Sequence, residues 1–170
     1  MTSPVPITAP RFILQTVTNS STWAFAELTN IAMEVEPHEL IYCHPDGTIQ
    51  HTKQYGKTKP PTVTLKKFMD SDTSLWAWHV AAQAGSPSAR LDCTLTVYKA
   101  GSPMLTPTSN DQIFQWVLQG AWPSKMDVAG MKAGGTETTM ITVTLQCELI
   151  TIPSVTPNPT AGIPSIPANS

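Results

Sequence analysis

The sequence predicts a mainly β (α+β) fold, an antiparallel β-sandwich or rolled barrel with one flanking helix. Three observations carry that prediction. Several segments alternate apolar and polar residues with a period of two. Sixteen prolines and nine glycines in 170 residues supply many turns and oppose a helical bundle. Threonine is abundant, and β-branched side chains suit half-buried strands. A chain of this length is one domain by default, and it can bury roughly 70% of its unfolded surface.

The elements follow in order. Residues 11–18 form a short strand candidate. Residues 23–36 hold another, interrupted near Thr29 and Asn30. Asp46-Gly47 reads as a turn between extended segments. Residues 44–61 are long for a simple hairpin connection. In residues 62–68, Val63 and Leu65 point one way and Thr62, Thr64 and Lys66 the other.

Residues 71–84 break the period. Ser71, Asp72, Thr73 and Ser74 are all N-cap types, and Gly85 with Pro87 beyond it makes a helix stop. Leu75, Trp78 and Ala82 form one apolar stripe. Trp76 and Val80 form a second. One stripe packs on the sheet; the other is either buried in the same fold or marks a subunit contact.

Leu91–Tyr98 places Leu91, Cys93, Leu95 and Val97 on one face and Asp92, Thr94 and Thr96 on the other. Residues 113–118 are apolar on both faces, as expected of a central strand or one covered by another chain. Residues 139–150 read as the longest strand. Ile141, Val143, Leu145, Cys147 and Leu149 share its core face, while Thr142, Thr144, Gln146 and Glu148 meet water or line something wet.

The ends differ from this body. Residues 1–10 and 153–170 are proline-rich and lack core periodicity, so both read as extended segments around a domain at 11–152. The C-terminal segment is a solvated tail or one that orders on a partner. Residues 1–10 show neither the basic nor the apolar region of a signal peptide. No apolar run is long enough for a membrane helix, so no stable membrane association is expected.

Charged residues are 13% of the chain and the net charge is −2. That weak field opposes non-specific nucleic-acid binding and a polybasic membrane surface. Cys43, Cys93 and Cys147 are too few and too scattered for a disulfide framework, and Cys93 and Cys147 fall in phase with core residues. Gly56-Lys57-Thr58 resembles the end of a phosphate loop. His51 stands where that loop needs its first glycine, and Pro60-Pro61 follows instead of a helix. His38, Cys43, His44 and His51 are zinc-type donors at spacings that match no zinc motif. His79, among tryptophans in the helix, reads as structural. No catalytic constellation stands out, and no catalytic residue, metal or cofactor is expected.

Three stretches together resemble the tail tube protein family of contractile bacteriophages. The first is Phe25-Ala26-Glu27-Leu28-Thr29-Asn30 with Met33-Glu34-Val35-Glu36. The second is Tyr55-Gly56-Lys57-Thr58 through Val63-Thr64-Leu65-Lys66-Lys67-Phe68, then Leu75-Trp76-Ala77-Trp78-His79. The third is Gln115-Trp116 to Gly120-Ala121-Trp122-Pro123-Ser124-Lys125 with Leu145-Gln146-Cys147-Glu148. The resemblance covers residues 11–152. Asn30 and Phe68 replace usual glycines; asparagine tolerates a left-handed turn. Residues 104–110 look like extra length between strands, and the uncharged tail lies beyond the family pattern.

The resemblance implies a non-enzymatic structural subunit. Six copies would form a ring with an inner barrel around a channel, and rings would stack into the tube of a virion tail. Partners would be other copies, the sheath, the baseplate and the tail terminator. DNA or protein cargo would pass without specific binding. A cell-encoded injection device related to type VI secretion, assembled inside the cell or released, is the alternative, and a monomeric β-sandwich binding module is the further one. In the tube reading, Asp46, Lys53, Tyr55, Lys57 and Lys59 belong to an arm between subunits. Trp76, Trp78 and Val80 are helix-interface candidates, and Thr142, Thr144, Gln146 and Glu148 are lumen-face candidates. Low net charge lessens repulsion among identical copies.

Overall fold

The computed structural model describes residues 11–100, 112–135 and 138–153. The proline-rich ends and the extra length at 104–110 lie outside the described residues, apart from the tail's first residue, Pro153. The strands are β1 Arg11–Thr16, β2 Thr22–Phe25, β3 Glu27–Cys43, β4 Ile49–Phe68, β5 Leu91–Tyr98, β6 Gln112–Val128, β7 Met140–Gln146 and β8 Leu149–Thr151. The helix α1, Ser74–Gln83, and a 3-10 turn, Pro87–Ala89, lie between β4 and β5. All pairings are antiparallel, in the order β2-β1-β5-β6-β7-β4-β3, with β8 beside β6.

The sheet rolls into two facing leaves because one strand belongs to both. The first half of β6 pairs with β5 and β8; its second half pairs with β7. The corner falls at Gly120, whose φ of 58° lies in the left-handed region. Its N–H donates to Asp92 Oδ1 at 2.9 Å, and the register against β5 shifts there. The ladder does not close into a barrel. Its two ends, β2 and β3, are instead joined by one residue, Ala26, whose N–H donates to Lys66 O at 2.8 Å.

The core lies between the leaves. Leu14, Leu95 and Leu118 come from one, Val63, Leu65, Val143 and Leu145 from the other, and all are fully buried. Each contributes about 1.5–3 kcal/mol by leaving water. Cys93 and Cys147 are buried here as free thiols. Burial pushes each up to about 12, so both stay neutral near pH 7.

The helix closes one side of this core. Leu75 and Trp78 are buried. Trp78 stacks on Trp23 with ring centres 5.3 Å apart. Its indole N–H donates to Ala89 O at 2.7 Å, and that of Trp23 to Ser74 Oγ at 2.7 Å. The backbone N-cap is Thr73, but the capping oxygen is Asp72 Oδ1, which accepts from Ser74 N–H at 2.9 Å. That bond holds the Asp72 carboxyl below its usual range. Lys67, 5% exposed, emerges beside it and pairs with Asp70 at 3.0 Å.

Three expectations need correction. Residues 139–150 are not the longest strand. The chain bends at Cys147 and Glu148, whose N–H groups donate to Pro61 O and Gln119 O, and it crosses from one leaf to the other. Leu149 is therefore exposed and Ile150 buried. The longest strand is β4, with 20 residues, and most of the long connection expected at 44–61, residues 49–61, is part of it. The interruption expected near Thr29 is a bulge between Leu28 and Asn30, while the strand itself breaks at Ala26.

Candidate assembly surfaces

The most conspicuous surface is a free ribbon. The β4–β7 ladder spans only Thr62 to Phe68, but β3 and β4 stay paired out to Cys43↔Ile49. A two-stranded hairpin thus leaves the sheet, its strands 34–43 and 49–59 exposed almost throughout. At its tip, Asp46 Oδ1 accepts from the Thr48 backbone N–H at 2.9 Å and the Thr48 hydroxyl at 2.6 Å. Those two bonds hold its carboxyl below the usual range.

The base of the ribbon is built from bulges. Register shifts fall between Ala32 and Glu34 and between Val35 and Pro37. The first faces Pro60 and Pro61, which lack a backbone donor for a regular ladder. At the second, Gly56 sits so close to Glu36 that an added Cβ would lie 2.5 Å from its carbonyl oxygen. The glycine of the phosphate-loop look-alike thus serves close backbone approach. Lys59 Nζ lies 3.0 Å from Glu34 Oε1 and 3.1 Å from Glu36 Oε1, and these carboxylates raise its pKa.

Cross-strand register sorts the ribbon into two faces. Pro37, Glu39, Ile41 and Cys43 share one with Ile49, His51, Lys53 and Tyr55; His38, Leu40 and Tyr42 share the other with Gln50, Thr52 and Gln54. Tyr55 is 98% exposed, Ile49 63% and Ile41 59%. His51 Nδ1 lies 3.0 Å from Glu39 Oε1, and the Tyr42 hydroxyl donates to Gln50 Oε1. Among the described residues no metal-holding group occurs. The arm candidates Lys53, Tyr55, Lys57 and Lys59 therefore stand on β4 and Asp46 at the tip. Sequence reasoning missed the apolar residues, Ile41 and Leu40 on β3 and Ile49 on β4. The run Leu40-Ile41-Tyr42-Cys43 was the signal available.

The helix presents a second surface. Trp78 faces inward, Trp76 is half-buried and Val80 is exposed. His79 Nδ1 lies 3.0 Å from Pro123 O, so its ring donates to a backbone carbonyl as a structural histidine does.

The third surface is the outer face of the β4–β7–β6 leaf. Thr142, Thr144 and Gln146 stand opposite Lys66, Thr64 and Thr62. On β6, Lys125 and Asp127 extend the same face and pair at 2.7 Å, while Lys66 pairs with Glu27 at 3.0 Å. The face is thus hydroxyl-rich with its charges compensated. Glu148 stands apart at the bend, bonded to Arg90 at 2.8 Å and packed against Gly120.

The family described as T4-like virus tail tube protein gp19 matches residues 8–151. No curated protein matches the chain. Among solved structures, the chain is similar to one in the anti-feeding prophage cap, described as the tube terminating cap. Identity is 18% and the TM-score 0.64, over 89% of this chain and 93% of that one. A chain of the six-fold symmetrised anti-feeding prophage baseplate is similar at 10% identity and TM-score 0.61, over 89% and 96%. A chain of the PVC sheath-tube complex in its extended state, an extracellular contractile injection system, matches at 17% identity and TM-score 0.59, over 86% and 90%. At such identities these likenesses are of fold.

Proposed function

The chain belongs to the T4-like virus tail tube protein gp19 family, and from that membership we propose that it is the inner-tube subunit of a contractile phage tail. It assembles as six-membered rings, and the rings stack into a channel. The observation that carries the stacking is the ribbon. An isolated two-stranded hairpin is marginal in water, and fixing each residue of it costs about 1–2 kcal/mol of backbone entropy. The exposed Ile41, Ile49 and Tyr55 recover that cost when a neighbouring copy covers them. The Trp76 and Val80 side of α1 forms a contact within the ring. The neutral face of Thr142, Thr144 and Gln146 lines the lumen, where paired charges leave little field to hold a passing cargo. Sheath, baseplate and terminator are the partners, in keeping with the tube cap, baseplate and sheath-tube assemblies that hold the similar chains.

The test shortens the ribbon on both strands. Replacing residues 36–57 by Asn-Gly joins Val35 to Thr58, which already face each other, through a two-residue hairpin turn. The variant keeps a β circular-dichroism spectrum and stops forming long tubes in sedimentation and electron microscopy. Normal tubes from it would remove the ribbon from stacking.

A cell-encoded contractile injection device is the second reading, favoured by the fold likeness to the anti-feeding prophage and PVC chains. Mass spectrometry of native particles separates the two. Capsid protein co-purifying with this chain assigns it to a phage, and its absence from intact particles assigns it to a device.

A further inference from the structure

We propose that the C-terminal segment of this chain, residues 154–170, docks in the groove between α1, the 3-10 turn and β6. The groove has a volume of about 450 Å³ and is lined by Ala82, Ser86, Pro87, Ala89, Arg90 and Trp122. Its walls are small or apolar apart from one cation. That cation is already satisfied, because Arg90 bonds Glu148 at 2.8 Å. An occupant therefore needs no charge of its own, and a charged one would find no unpaired partner.

The segment has that chemistry. Its 17 residues contain no Asp, Glu, Lys or Arg, and they include Pro157, Pro159, Pro164 and Pro167 with Val155, Ile163 and Ile166. Proline-rich chains dock against aromatic walls at low entropic cost, since their extended conformation is preset. Trp122, half-buried and lining the groove, supplies such a wall.

The chain leaves the fold beside the strand that carries Trp122, running away from it because β8 is antiparallel to β6. β8 pairs with β6 at Val117, Leu118 and Gln119, and Trp122 is on the same strand, five residues beyond Val117. That interval is at most roughly 17 Å, since β6 turns its corner at Gly120 between the two. A 17-residue segment spans up to roughly 56 Å when extended, enough to turn back and lie in the groove of its own subunit. Tethering gives it an effective concentration on the order of millimolar.

Photo-crosslinking of the full-length chain tests this. A benzoylphenylalanine probe replaces Ser86, and in a second variant Pro87; a control probe replaces the exposed Val17. Mass spectrometry then maps the crosslinked peptides. The expected products join the groove probes to residues 154–170. They fall to the control level when Pro157, Pro159, Pro164 and Pro167 are changed to serine. In an equal mixture of ¹⁵N-labelled and unlabelled chains, each product carries a single label state. Crosslinks to this segment no more frequent than from Val17 would overturn the proposal. Mixed-label products would overturn it too, by giving the groove to another copy's segment.

Discussion

Trp76 and Trp78 stand two residues apart, and their partners send them opposite ways. Trp78 has a stacked neighbour in Trp23 and an acceptor in Ala89 O, so its indole is buried without an orphaned N–H. Trp78→Ala is expected to cost about 3–5 kcal/mol, read as a fall in denaturation midpoint. Trp76→Glu should leave that midpoint nearly unchanged and prevent ring formation in sedimentation. Normal rings from this variant would take the helix out of the proposed ring contact. Both stripes were legible as apolar periodicity; which one faces inward depends on Trp23 and Ala89, and no helical period records them. Gly56→Ala puts a methyl group against Glu36 O, so hydrogen exchange should quicken in the ribbon amides while the core amides keep their protection. Equal protection in both would show that the ribbon absorbs the clash. Asp46 gives a pH dependence of known sign. Its carboxyl is held down in the folded turn, so its contribution is complete above its ordinary value of 3.8 and disappears as pH falls through the lower folded value. Protection of the Thr48 amide should drop in that acid range, and Asp46→Asn should remove the transition.

The elements differ in how plainly the sequence announces them. Leu91–Tyr98 has the same bounds in the structure as in its alternation, because one face meets the core along its whole length. The ribbon strands have no such face, so burial imposes no period on them, and Pro37, Pro60 and Pro61 argue against strands at all. The structure accommodates Pro60 and Pro61 opposite a register shift and places Pro37 beside another, an adjustment visible only once the partner strand is known. The bend at Cys147 and Glu148 was hidden for the converse reason. The apolar alternation runs on through it, while the backbone hydrogen bonds change partner from Pro61 to Gln119. Of the surface candidates, the Thr142, Thr144 and Gln146 row was legible as a strand face. Glu148 kept that phase in the sequence but lost it at the bend.

For the whole molecule, the described core is complete between Leu14 and Ile150. Ending the chain at Pro153 should therefore keep the fold and lower the thermal midpoint by less than about 5 °C, on the order of 1 kcal/mol for a domain near this size. A larger fall in calorimetry would show that residues 154–170 belong to the core. β4 runs unbroken from the ribbon tip into the sheet, so tension applied at the tip travels along one backbone into the seven pairs that β4 makes with β7. Those pairs lie side by side along the direction of pull and are strained together in shear, whereas a ribbon hung from a loop would peel them one at a time. In the proposed stack, a neighbour that pulls on the tip would thereby load the interior of this subunit and not its surface alone.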